Sequence, residues 1–243
     1  MRKNLMILGF LLMAVYSVQA QQVRFGLQTG VSEYALKDLK NLNQSLQNSV
    51  PFETRIVSNY PAFVYFQPSV VLERGNWNYG LFYNFYSTGS RISASDYSAD
   101  YLMDTRINAN TIGLTGEYYF YQTGIFKIGA YTNLGLSLTH FKLKESLIVA
   151  DSVFFKIPYQ KFRSYNVLGE PGVMISIPWQ TLQFTFNAGY SFQLAGSGLK
   201  NTETKDWDLI DSRPSKEAKA QWNGYKLGIA ISYSFPYKAA KND

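Results

Sequence analysis

Cysteine is absent from the 243 residues, histidine occurs once, and charged residues make up only 16% of the chain. Without cysteine there is no disulfide, thiolate nucleophile, iron–sulfur cluster, zinc–thiolate site or lipidated cysteine. The lone histidine, His140, excludes a multi-histidine metal centre. Charge falls below the roughly 25% of soluble domains, while the 19 tyrosines and 17 phenylalanines are many. Disordered chains show the opposite bias. The chain's length suits one domain, or two small ones.

Residues 1–20 read as a secretory signal peptide. Arg2 and Lys3 form a positive start, Leu5 to Tyr16 is mostly apolar, and Val18-Gln19-Ala20 supplies small residues for cleavage before Gln21. The apolar run is shorter than the ~20 residues that a spanning helix needs, and no later run is long enough either. Losing Arg2 and Lys3 lowers an already mild net charge of +6. Export and scattered charge both argue against nucleic acid as a partner.

Beyond the leader the apolar period is two, the spacing of a strand with one apolar face. Eight such segments follow one another. Their apolar sets are Val23-Phe25-Leu27, Val64-Phe66-Val70-Leu72, Trp77-Tyr79-Leu81-Tyr83-Phe85, Ile112-Leu114-Tyr118-Phe120, Phe126-Ile128-Leu134-Leu136-Leu138, Val167-Val173-Ile175-Ile177, Leu182-Phe184-Phe186-Tyr190-Phe192-Leu194 and Tyr225-Leu227-Ile229-Ile231-Tyr233-Phe235. Pro68 and Pro171 interrupt two of them and require a bulge or a lost ladder bond.

Three connections are tight: Arg74-Gly75-Asn76, Tyr121 to Gly124, and Pro178-Trp179-Gln180. The other four, over 31–61, 88–107, 140–164 and 195–221, are long. Short and long alternate, so the long loops share one end and both termini the other. An even strand number allows the first and last strands to pair antiparallel and close the sheet.

Periodicity alone does not tell an inward apolar face from an outward one; the opposite face does. It carries many glycines and only six charges, three of each sign: Arg24, Lys127 and Lys226 against Glu73, Glu117 and Glu170. A solvent-facing surface would carry about 25–35% charge. The glycines suit a narrow interior with room for Tyr65, Tyr119 and Tyr131. Isolated buried charges cost several kcal/mol each, so a balanced set implies an ion-paired plug. Arg24, Glu73, Glu117 and Lys127 fall near its short-turn end. The apolar face carries no charge, as lipid demands. Aromatic residues gather near strand ends, as an interface girdle requires. Trp77, Tyr79, Phe120, Phe126, Trp179, Tyr233 and Phe235 lie toward the short turns; Tyr86, Phe141, Tyr165, Phe192, Trp222 and Tyr225 lie toward the long loops.

By this pattern the chain resembles the small outer-membrane barrels of the OmpA/OmpX type, and more distantly the PorT-like barrels. The resemblance covers Gln21 to Phe235. The last segment, from Lys226 to Phe235, is similar to the C-terminal signal read by the barrel-insertion machinery, with Gly228, Tyr233 and Phe235 as its marks. In that family the final aromatic usually ends the chain; here Pro236 to Asp243 follow.

Candidates for chemistry are few. Some barrels of this size resemble lipid A-modifying enzymes, which need a histidine beside a serine and a carboxylate. His140 shares the parity of Leu134 and Leu138, away from Ser137 and Thr139, so a rim histidine is the favoured reading. Asp96, Asp100 and Asp104, and Glu203, Asp206, Asp208 and Asp211, form acidic loops without the spacing of a known calcium loop. Ala35, Leu36, Leu39, Leu42 and Leu46 form a helical stripe after a candidate cap at Ser32, suited to packing on the barrel mouth or to a lid. Lys142, Lys144, Lys156, Lys161 and Arg163 outnumber Glu145 and Asp151 in the third loop and are candidate contacts for lipopolysaccharide phosphates.

The expectation is therefore an all-β, eight-stranded, antiparallel up-and-down transmembrane β-barrel with four long extracellular loops and short periplasmic turns. Residues 1–20 form the leader, 21–236 the barrel and 237–243 a periplasmic tail. A structural or interaction role at the bacterial cell surface fits best: envelope integrity, adhesion or an assembly subunit. Expected partners are outer-membrane lipid and lipopolysaccharide, the insertion machinery and a protein met through the loops. No catalytic residue, metal or cofactor is expected. Transport through a narrow pore, a lipid A-modifying enzyme and a soluble lipocalin-like carrier are the rivals.

Overall fold

The computed structural model describes residues 22–50, 53–95, 97, 99–149, 152–203, 209 and 217–236; the expected leader and tail lie outside them. In chain order the elements are β1 (Gln22–Tyr34), α1 (Lys37–Ser49), β2 (Arg55–Asn59), β3 (Phe63–Arg74), β4 (Trp77–Ser95), β5 (Ala99–Gln122), β6 (Lys127–Val149), β7 (Ser152–Trp179), β8 (Leu182–Gly196), β9 (Lys200–Asn201) and β10 (Gly224–Pro236). Eight of the strands form a ring, β1-β3-β4-β5-β6-β7-β8-β10, with every neighbour antiparallel. It closes through β1 and β10, from Gln22 opposite Pro236 to Tyr34 opposite Gly224. β2 and β9 lie off the ring, paired with β4 and β7.

The tight links form as short turns at the end that holds Gln22 and Pro236. Gly75, at φ +61°, turns β3 into β4, and Gln180, at φ 56°, turns β7 into β8. Pro68 and Pro171 cause no bulge. Pro68 stays in register with Leu27 while the ladder to β4 skips from Phe66 to Ser69 without a shift. Pro171 likewise pairs with Thr132, and the ladder to β8 skips from Gly169 to Gly172. Each proline removes a donor on one side only, and register survives.

The long loops differ from expectation. The 88–107 and 140–164 stretches are continuations of the strands: β4 and β5 run in unbroken register to Ser95 opposite Asp100, and β6 and β7 stay paired, with register shifts after Leu143 and Leu147, to Val149 opposite Ser152. The reason is an inversion of faces. In the lower barrel the outward positions are apolar, as in Ile112, Leu114, Leu134 and Leu136, and the inward ones polar, as in Thr111, Thr115, Asn133 and Ser137. Above residue 109 of β5 the same alternation changes sides. Tyr101, Met103 and Ile107 turn inward, and Asp104, Arg106 and Asn108 turn out. A strand that swaps its apolar face midway has no single periodic signature, so its upper half reads as loop.

Those inward apolar residues need a partner, and α1 supplies one. Leu36, Leu39 and Leu42 are buried together with Tyr60, Ile92, Tyr101, Phe141, Phe162, Leu199 and Trp222 in one core at the outer end. The expected helical stripe is present, but Ser32 is not its cap. Ser32 is an inward residue of β1, and the helix begins after Leu36, whose backbone is left-handed at φ 41°. Asp38 in the first turn complements the helix dipole. Its carboxylate also accepts hydrogen bonds from the Lys219 backbone N–H at 3.2 Å and the Gln221 Nε2 at 3.5 Å, tying α1 to the segment before β10.

Candidate functional site

Three levels stack along the inside of the ring. At the short-turn end Arg24 on β1, buried, pairs with Glu73 on β3 at 3.3 Å and with Glu117 on β5. Asn78 Nδ2 donates to Glu117 at 3.1 Å, and the Tyr119 hydroxyl joins Ser176 and Gln183 at 3.2 and 3.1 Å. Lys127, expected among these ion pairs, is instead placed over the Tyr119 ring, 5.4 Å from its centre. Among the described residues no carboxylate lies within 4 Å of it.

One level up, Lys226 on β10 bridges β7 and β3. Its ammonium is fully buried and donates to Glu170 Oε2 at 2.8 Å and to Gln67 Oε1 at 3.0 Å, 4.4 Å from the centre of the Tyr65 ring. Tyr131 and Asn133 donate to the other Glu170 oxygen, each at 3.2 Å. Glycine makes this possible. A Cβ on Gly172 would lie 2.4 Å from the Tyr131 ring and one on Gly189 2.3 Å from its hydroxyl. Gly228, singled out as part of an insertion signal, faces inward under the Tyr65 hydroxyl, where a Cβ would come within 2.1 Å. Between the two ionic levels remains a cavity of about 50 Å³ lined by Arg24, Gln28, Glu117, Asn133 and Asn187. That is room for a few water molecules.

The third level is aromatic. Tyr86 and Tyr34 pack edge-on against Trp222 with ring centres 4.7 and 5.3 Å apart, and the Trp222 indole donates to Thr139 at 2.9 Å. Tyr86, Phe141 and Trp222, expected in the outer girdle, point inward and are buried. Parity decides it for Tyr86 and Phe141, on the inward sides of β4 and β6, while Trp222, just before β10, packs with them in the core that α1 joins. Tyr165 and Tyr225 do face outward.

Outside, apolar residues encircle the ring: Phe25, Val64, Leu81, Leu114, Leu134, Val173, Phe186 and Ile229 are all exposed. A soluble protein rarely shows an apolar patch beyond a few hundred Å². Here the patch goes all the way round, over a ring of strands closed through β1 and β10 and a polar, ion-paired interior. Only a bilayer satisfies that combination. The chain is a membrane-spanning β-barrel.

Solved structures of such barrels are similar in fold. The barrel aligns with Neisserial surface protein A at 11% identity over 89% of this chain and 98% of that one, with a TM-score of 0.42. A major outer-membrane protein of Thermus thermophilus gives 11% identity, 88% and 99% coverage and a TM-score of 0.48. The outer-membrane protease OmpT of Escherichia coli gives 9% identity, 89% and 97% coverage and a TM-score of 0.42. No protein-family model and no curated protein matches the chain.

The remaining candidates are at the barrel's rim. His140 faces outward just above the apolar belt, between Asn108 and Arg163. Burial, then the charges of Arg163 and Lys142, lower its pKa. Among the described residues no hydrogen bond joins it to a serine or a carboxylate. The first acidic group does not form a loop: Asp100 accepts from Ser95, and Asp104 pairs with Arg91 at 2.7 Å, all on strands, while Asp96 lies outside the described residues. Glu203 is exposed; Asp206, Asp208 and Asp211 lie outside the described residues. Among the described residues no group of three acidic or histidine side chains could hold a metal.

Lys142, Lys144, Lys161 and Arg163 all face out from the β6–β7 sheet. Asp151 and the Lys156 side chain lie outside the described residues. Glu145 is spent elsewhere, accepting from the Tyr101 hydroxyl at 2.7 Å; burial first, and then this contact, raise the pKa of that phenol. Arg91 and Arg106 join the same face. Sequence reasoning misses them because a stretch read as loop offers no register from which to align them.

Proposed function

We propose that this barrel is a closed, non-conducting surface protein with a structural or interaction role: envelope integrity, adhesion or membership of an envelope assembly. The observation that carries the reading is the filled interior. What supports it is two ionic levels and an aromatic level, packed with α1, stacked along the lumen with a cavity of about 50 Å³ between the ionic ones. Eight-stranded barrels have interiors that side chains fill. The long β4–β5 and β6–β7 hairpins, paired with each other through β5 and β6, offer a surface beyond the belt for a partner. The surroundings of His140, cationic and without a serine or carboxylate partner among the described residues, support a non-enzymatic role.

The test is conductance. The wild-type protein, reconstituted in planar bilayers with insertion verified by its heat-shifted electrophoretic mobility, should carry no single-channel current. Stepwise currents would overturn the reading in favour of small-solute transport. A His140→Ala variant should leave the lipid A composition of the cells unchanged; an altered composition would restore the enzyme as a rival.

A further inference from the structure

The outward face of the upper hairpins carries a row of like charges in direct register. Arg106 on β5 is opposite Lys142 on β6, and Lys142 is opposite Lys161 on β7. Adjacent strands are about 4.8 Å apart, so three cations share roughly 10 Å. Like charges directly opposite one another are unfavourable in a sheet, and the local acids do not relieve them. Asp104 is held by Arg91 through 2.7 and 3.2 Å hydrogen bonds. Among the described residues no carboxylate lies within 4 Å of Arg106, Lys142 or Lys161. The row lines a furrow of about 730 Å³, walled by Val57 and Ser58 of β2 on one side and Tyr159 on the other.

Height selects the ligand. Along these strands the last lipid-facing rung is Phe85, Asn110, Leu138 and Tyr165. The next outward rung is Ser87, Asn108, His140 and Arg163, and the one above it Gly89, Arg106, Lys142 and Lys161. Four residues separate Leu138 from Lys142, roughly 13 Å along a strand that a barrel tilts by about 40°. That places the cations level with the headgroups of the lipids whose chains lie against Leu138 and Tyr165.

We propose that Arg106, Lys142 and Lys161 form a binding site for the phosphates of a diphosphorylated lipid headgroup in the outer leaflet. The site deepens the surface-protein reading by naming one partner, and it rests on the belt, not on the closed lumen. Gly89, facing Arg106 across the β4–β5 ladder, adds no side chain to the furrow on that rung. Arg106 Nε is aimed by Ser87 Oγ at 3.3 Å. A fork-shaped guanidinium beside two ammonium groups suits two phosphates better than one.

The experiment places the full-length barrel in phosphatidylcholine nanodiscs doped with diphosphoryl or monophosphoryl lipid A, and counts bound lipid A by native mass spectrometry. Replacing all three cations (R106Q, K142Q, K161Q) should reduce diphosphoryl lipid A binding about tenfold, since each exposed charge adds modestly. The triple variant R106K, K142R, K161R should retain it. A control with the same charge loss elsewhere (K37Q, R55Q, R74Q) should bind as the wild type does. Heat-shifted mobility reports folding for every variant. Equal losses in site and control variants, or no loss in either, overturns the site. Displacement of the lipid by inorganic pyrophosphate at equal concentration also overturns it, because the ligand would then be a soluble phosphate. A conducting wild type would sink the closed-lumen reading and leave this result standing.

Discussion

Lys226 shows what a single residue does in this barrel. Its ammonium is buried among Glu170, Gln67 and the face of Tyr65. Removing one partner of a buried ion pair leaves the other uncompensated and costs about 3–5 kcal/mol. Lys226→Met should therefore destabilise the folded barrel in vesicles by that much, read from urea unfolding followed by tryptophan fluorescence. The double variant Lys226→Met, Glu170→Leu should recover most of the loss, because no lone charge remains. Equal loss in single and double variants would show that the lysine stem, not the charge pair, matters. The charge balance that suggested the plug was legible in the sequence; the partition was not. Arg24 takes two carboxylates, Lys226 one, and Lys127 an aromatic ring, choices that depend on which strands face one another across the lumen.

At the scale of the element, α1 packs on the core at the outer end, and its stability is local. Leu36 and Leu39 bury completely against the aromatic level, while Asp38 fastens the helix to residues 219 and 221. Leu39→Ala should cost about 2–5 kcal/mol of cap stability through the cavity it leaves. Leu39 belongs to the core at the outer end, so the cost should be confined to the cap unit. Hydrogen exchange should speed up in α1, the upper half of β5 and residues 217–223, and stay unchanged in β8. Faster exchange throughout would mean that cap and belt unfold as one. The helical stripe announced α1, and its place over the mouth became visible only with the inverted faces of β4 to β7, which supply the apolar residues it covers.

For the whole molecule the deciding property is facing. Phe186 and Asn187 are neighbours on β8, the first exposed to lipid and the second in the lumen. An arginine in the middle of the belt costs about 2–4 kcal/mol. Phe186→Arg should thus reduce the yield of folded barrel in membranes, measured by heat-shifted mobility, whereas Phe186→Leu should not. Assembly of Phe186→Arg at wild-type yield would mean that this face does not meet the bilayer interior.

The sequence by itself determined the ring. Eight apolar alternations, alternating loop lengths and a belt without charge admit one closed antiparallel barrel, because strand period and the need to satisfy every backbone group in lipid are local and general demands. Gly172, Gly189 and Gly228 could be counted as interior positions in advance, since parity places them there. Their partners, Tyr131 and Tyr65, come from other strands. Only the tertiary structure decided what the mouth is made of and where the cations gather. Tyr86, Phe141 and Trp222 turn from girdle to core, and Arg106 moves beside Lys142 and Lys161, through cross-strand register above the belt. Register there depends on contacts between residues far apart in the chain, and the periodic signal that would reveal it reverses midway along the strands.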